Sequence, residues 1–233
     1  MPAQWASFQR TALENPSTLP VINLSMLVRP PPPGDEFAAV VKALKRLRNV
    51  QMALALLPQL ESASVRRLYV SKHGPPPTSL PTTLRLPKIT HLYFEPYYNA
   101  LYPLPTRALL PAIFPSLTHF GMTYVPSSDE VSRDLRGLTR TMLALPHMER
   151  AYIRVLASTL DCAESDAEQM ADSFRSSLCD SRVHVGYATT GEWFCPLCTQ
   201  PVYSAKSLWT LDAIGRRNMW THGRAVGPCN DDS

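Results

Sequence analysis

Cys195-Pro-Leu-Cys198 sets two thiols at the two-residue spacing that lets both thiolates reach one tetrahedral zinc ion. A closed site takes four ligands, and the chain has neither a second CxxC nor an HxxxH. Cys179, His184, His222 and Cys229 could complete the set only across long loops without pattern. Cys195 and Cys198 are therefore weak metal candidates, reduced thiols are the expectation for the five cysteines, and no cofactor is expected. Hydrolase and phosphate-binding signatures are missing as well: there is no G-x-S-x-G, no HExxH and no P-loop. Asp161, Glu164, Asp166 and Glu168 gather at an expected helix start, where acids complement the helix dipole. The expectation is a chain that is not an enzyme.

A second set of residues could do chemistry of another kind. Arg67 and Tyr69, then His91, Tyr93 and Glu95, then His119 and Thr123, then Arg150, Tyr152 and Arg154 recur at alternate positions of short apolar segments. Tyrosine and arginine dominate interface hot spots because each combines a large contact area with hydrogen bonding. Should the segments lie side by side, Arg67, Tyr69, His91, Tyr93, His119, Arg150, Tyr152 and Arg154 form one partner-binding surface. The plainer reading of the same residues is a solvated strand face. His91 and His119 could meet across neighbouring strands, but no third ligand is evident, so no metal is assigned there.

The elements that would position these side chains are written in three phrases. Leu86-Pro-Lys-Ile89-Thr-His-Leu92-Tyr-Phe94, Phe114-Pro-Ser-Leu117-Thr-His-Phe120-Gly-Met122 and Leu145-Pro-His-Met148-Glu-Arg-Ala151-Tyr-Ile153 carry apolar residues at the same four places, with proline always second. Their starts lie 28 and 31 residues apart, close to the period of leucine-rich repeats. Weaker copies run from 47 to 55, from 60 to 70 and from 19 to 27, and 182–187 reads as a last, atypical strand. Each Leu-Pro is expected to enter a strand, since proline is tolerated at a strand's first position.

Helical stretches are expected between the strands, at 36–48, 106–113, 129–145, 163–178 and 206–220. The third is the clearest, with Val131, Leu135, Leu138 and Met142 on one helical face. A strand, a helix and a further strand give parallel pairing with right-handed crossovers. The expected fold class is α/β: a leucine-rich-repeat-like solenoid with a parallel sheet, alternating helices and irregular repeats of about 28 residues. The division expected is 1–18 as an N-terminal extension, 19–190 as the repeat domain and 191–233 as a C-terminal helical cap or tail containing the CxxC.

Whole-chain figures narrow the function classes. Hydrophobic residues at 45% and charged residues at 18% of 233 suit a chain that buries a core. The net charge of +4 is spread out apart from Lys42, Lys45, Arg46 and Arg48, which is too little for a phosphate-neutralising footprint, so nucleic acid is not an expected partner. No run approaches the ~18–20 apolar residues of a membrane span, and a cytoplasmic or nuclear protein is expected. The proline tracts at 30–33 and 75–77 read as extended connectors.

At Leu86–Phe94 and Phe114–Met122 the chain resembles the leucine-rich-repeat region of F-box-type proteins of basidiomycete fungi, which carry repeated LPxLTHL or FPSLTHL phrases. The resemblance covers roughly 19–190, and Asn218-Met-Trp220-Thr-His-Gly-Arg224 is similar to the aromatic-rich last helix of that group. It implies a substrate-recognition subunit of a ubiquitin ligase, with the repeats holding a ubiquitination substrate and an F-box recruiting a Skp-type adaptor. No F-box is evident before Leu19. The functional expectation is a non-catalytic protein–protein interaction scaffold. The alternative is a small zinc-binding module at the CxxC, fused to the repeats and binding protein or nucleic acid.

Overall fold

A computed structural model describes residues 2–16, 21–25, 34–71, 81–95, 109–124, 129–157, 164–189, 194–195, 200–201, 205–216, 219–221 and 224–225. Seven strands pair in chain order into one open parallel sheet: β1 (Asn23–Ser25), β2 (Asn49–Ala53), β3 (Arg67–Ser71), β4 (His91–Phe94), β5 (His119–Tyr124), β6 (Arg150–Ala157) and β7 (Val183–Thr189). A separate antiparallel pair is formed by β8 (Phe194–Cys195) and β9 (Gln200–Pro201), and β10 (Arg224–Ala225) adds antiparallel to β7. The helices are α1 (Pro2–Glu14), α2 (Gly34–Ala43), α3 (Leu109–Ile113), α4 (Asp129–Leu143), α5 (Glu164–Ser176) and α6 (Ala205–Ala213), with 3-10 turns at Leu54–Leu60 and Met219–Thr221. The α/β class and the parallel sheet agree with the expectation from sequence.

The three Leu-Pro phrases do not begin their strands. Each makes a turn first, in which the fourth residue donates its amide to the first residue's carbonyl: Ile89 to Leu86 at 3.2 Å, Leu117 to Phe114 at 3.2 Å and Met148 to Leu145 at 3.1 Å. Proline thus takes the second place of a four-residue turn, where its fixed φ is preorganised, and the strand starts later at His91, His119 or Arg150. The proline of each turn is exposed, while the apolar residue before it is buried at Leu86 and Phe114 and partly buried against the core at Leu145, so the turn aims each strand while anchoring it in the core.

Strand entry repeats one hydrogen-bonding device. The amides of residues 48 and 49 both point at Ile22 O, those of 66 and 67 at Arg48 O, 90 and 91 at Arg66 O, 118 and 119 at Thr90 O, and 149 and 150 at Thr118 O. A single carbonyl in the preceding strand's entry therefore receives two successive donors in five neighbouring pairs. This locks the register, and register decides which side chains share a face.

Alternation then sorts the sheet into two faces. Val50, Met52, Leu68, Val70, Leu92, Phe94, Phe120, Met122, Ile153, Val155 and Val185 join Phe37, Val40, Leu110, Ile113, Leu138, Met142 and Phe174 of the connecting helices in one core. Leu138 and Met142 are buried on α4 as their spacing implied. The first fourteen residues carry a helix that sequence left as an extension: Trp5 and Phe8 pack against the core, and Trp5 Nε1 reaches Glu36 at 3.5 Å. The expected 206–220 helix stops at Ala213, because Gly215 at φ 72° turns the chain left-handed. Arg216 N then bonds Leu211 O at 2.8 Å and Gly215 N bonds Asp212 O at 3.0 Å, the pairing of a Schellman cap.

One cysteine departs from the expectation of free thiols. Cys179, exposed just beyond α5 in the left-handed region at φ 50°, is joined in a disulfide. The proline tracts at 30–33 and 75–77 lie outside the described residues. Among the described residues no helix is long and apolar enough to cross a membrane.

Candidate functional site

Register places all eight candidate residues on the sheet face opposite the connecting helices. Asn49, Arg67, His91, His119 and Arg150 form one row across the strands. Gln51, Tyr69, Tyr93, Gly121, Tyr152 and His184 form the next, and Thr123 pairs with Arg154 in the row beyond. The expectation of a solvent-facing row is corrected for the tyrosines: Tyr69 and Tyr93 are 0% exposed and Tyr152 is 1% exposed. Arg154 is buried too, while Arg67, His91, His119 and Arg150 are half-buried.

The C-terminal segment provides the cover. Tyr69, Tyr93 and Tyr152 form a second apolar cluster with Trp209, Met219 and Trp220. Tyr69 stacks on Tyr93 with ring centroids 5.3 Å apart, and Trp209 meets Tyr69 edge-on at 5.9 Å, both favourable ring geometries. Trp220 stands edge-on over His91 at 5.6 Å and His119 at 5.1 Å. It fits there because the tyrosine row has a gap at Gly121, where a Cβ would fall 2.5 Å from Tyr93 Cδ2 and 3.0 Å from Trp220 Cζ3. Asp212 ties the arrangement together: its carboxylate pairs with the Arg67 guanidinium and accepts Trp220 Nε1–H at 3.0 Å. Arg67 also donates to Asp212 O at 3.2 Å and lies 5.5 Å from the centre of the Trp209 ring. A guanidinium with both a carboxylate and an aromatic face around it is well compensated for its partial burial.

Identical threonine contacts lock the two histidines. Thr118 donates its hydroxyl to Thr90 O at 3.0 Å, leaving its oxygen to accept His119 Nδ1–H at 2.9 Å. Thr90 does the same toward Arg66 O at 3.3 Å and His91 Nδ1 at 2.9 Å. The pattern assigns the proton to Nδ1 in both rings, which stack with centroids 4.2 Å apart and planes within 4°. Lone pairs of such parallel rings run side by side and do not converge on one ion. Among the described residues there is no group of three or more side chains able to hold a metal.

Burial, aided by His119 and Arg67, drives the His91 pKa down from 6.5 to about 3. Burial also lowers that of His119, with Arg67 and Arg150 acting in the same direction and Glu149 opposing, and burial with Arg150 lowers that of His184. Tyr69 and Tyr93 are pushed up, chiefly by burial, so both phenols stay protonated. Tyr93 shares a 2.7 Å hydrogen bond with Thr123. The face is therefore built from neutral rings and guanidinium cations, which suits recognition better than proton transfer at neutral pH.

A pH dependence follows. An unfolded histidine takes up its proton near 6.5, whereas folded His91 resists until about 3, so between these values the folded chain holds fewer protons. Stability is full above about 6.5 and declines as pH falls toward 3. Melting temperatures measured from about pH 7 to pH 4 should drop along this slope, and His91→Asn, which cannot charge, should flatten it. Parallel curves for the two proteins would show that another group governs the decline.

The sequence did not single out Trp209, Asp212 or Gly121, and marked Trp220 only within the aromatic-rich stretch at 218–224. A readable signal exists: at the position where the other phrases carry Tyr93 and Tyr152, the middle phrase has Gly121, a gap in an otherwise bulky row. Cys195 ends β8 opposite Gln200 of β9, whereas Cys198, Cys162, Cys229 and His222 lie outside the described residues. No family model, curated protein or solved structure matches the chain.

Proposed function

We propose that the chain is a non-catalytic protein-interaction scaffold, a leucine-rich-repeat-like solenoid that recognises a protein through the face carrying Arg67, Tyr69, His91, Tyr93, His119, Arg150, Tyr152 and Arg154. One observation supports this above the others. The connecting helices pack on one side of a parallel sheet, and the opposite face concentrates aromatic and arginine side chains held in rows by a repeated register device. Tyrosine and arginine are the residue types of interface hot spots. The F-box resemblance extends the proposal to a substrate-recognition subunit of a ubiquitin ligase, with a Skp-type adaptor and a ubiquitination substrate as partners.

Arg150 offers the cleanest test, being half-buried at the rim of the face. Arg150→Glu should weaken binding of an isolated protein partner by about tenfold or more, with little change in melting temperature. Unaltered affinity would remove the face from the proposal. Mixing the full chain with a recombinant Skp-type adaptor tests the ligase extension: a stoichiometric complex supports it, and no complex at tens of micromolar makes the chain a free-standing scaffold.

A second reading is favoured by the small β8–β9 pair. Cys195 ends β8 of this pair, and the two-residue spacing to Cys198 suits two thiolates on one zinc, so Cys195 and Cys198 could serve a zinc-binding module acting on protein or nucleic acid. Zinc content below about a tenth of an equivalent after chelator-free purification removes this reading.

A further inference from the structure

We propose that residues 205–216 and 219–221 occupy the sheet face as an internal stand-in for the partner, and that the partner's docking segment presents a tryptophan beside a carboxylate. The proposal rests on the scaffold reading and names what that scaffold recognises. Three observations carry it.

The slot belongs to the sheet. Gly121 interrupts a row otherwise filled by Tyr69, Tyr93 and Tyr152, and the Trp220 ring lies over the place a Cβ at 121 would take, edge-on to the stacked histidines. Trp220 enters it here, but the shape is set by β4 and β5, and any tryptophan approaching at that angle meets the same walls.

The charge is complementary and coupled to the ring. Asp212 bonds both the Arg67 guanidinium and the indole N–H of Trp220, so carboxylate and indole act as one determinant. Arg67, Arg150 and Arg154 bring three guanidinium groups to this face, while Glu95, just past β4, acts on Tyr69 and Glu149, just before β6, acts on His119. A segment lacking the carboxylate would leave Arg67 half-buried beside an apolar ring, at the cost of an unpaired charge.

The cover is separate from the main core. Its contacts form a cluster of six residues that shares no member with the helix-side cluster, so it can leave while the sheet and its helices stay packed. A tethered segment competes at an effective concentration of about millimolar, which holds the face closed until a better ligand arrives.

The test uses the full chain and a synthetic, fluorescently labelled peptide of residues 205–221. Trp209→Ala/Trp220→Ala weakens the internal segment, and this variant should bind the peptide at least about tenfold more tightly than the wild type does. A peptide carrying Asp212→Asn and Trp220→Ala should bind neither protein. Equal binding by the two proteins, or none by a variant that still unfolds cooperatively, overturns the stand-in. It leaves the scaffold reading intact, because Arg150→Glu tests that with the partner alone. Should the double variant fail to unfold cooperatively, Asp212→Asn in the full chain is read in its place: a severalfold gain in peptide affinity supports the proposal and no gain overturns it.

Discussion

Gly121→Val will expel the C-terminal segment from the sheet while leaving the sheet folded. Its backbone needs no left-handed conformation, so valine meets no strain in φ, and the residue suits a strand. The harm is in space. A first side-chain carbon lies 2.5 Å from the Tyr93 ring and 3.0 Å from Trp220, and the two methyls of valine extend further into the same slot. The Tyr93 ring must shift to relieve the closer clash although it is stacked on Tyr69 and bonded to Thr123, and Trp220, which packs in the same cluster, is displaced with it. Overpacking of this kind costs about 1–3 kcal/mol, to which the lost contacts of Trp220 add. The expected readout is a red shift of tryptophan fluorescence with far-ultraviolet circular dichroism preserved. Unshifted fluorescence would place Trp220 elsewhere.

Phe120→Ala should behave in the opposite manner, although the two positions are adjacent. Phe120 is 0% exposed, points to the helix side and meets Phe94 edge-on at 6.4 Å in the main cluster. Truncating a buried phenylalanine costs about 3–5 kcal/mol, comparable with a small domain's whole stability. The denaturant midpoint should fall strongly, and circular dichroism and fluorescence should change together, since nothing holds the cover once the sheet is lost. A fluorescence change that precedes the loss of secondary structure would argue against a helix-side role. One strand thus provides a local failure and a global one, separated by the alternation of its faces.

Much of this was readable from pattern. The alternation in Leu92-Tyr-Phe94 and the spacing of apolar residues from 129 to 145 gave strands and helices near their observed limits, because burial on one face dictates both. The parallel order followed from alternation of element types. The position of proline did not, since a turn and a strand entry both accept it and only the hydrogen bond from Ile89 to Leu86 decides. Nor did the pairing of Asp212 with Arg67, which joins residues 145 apart and leaves no local trace. The same holds for Trp220 over Gly121. Tyr93 and Tyr152 read as exposed because alternation reports which face a residue takes and is silent about what later packs on it.

If residues 205–216 and 219–221 cover the tyrosine and histidine face as a stand-in, they open independently of the sheet. Hydrogen–deuterium exchange of the full chain tests it directly. Amides of 209–221 should exchange at least about a hundredfold faster than those of β3, β4, β5 and β6, through an opening that spares the strands. Protection of 209–221 equal to that of these strands, lost only in global unfolding, would make the segment an integral layer of the fold and contradict the claim.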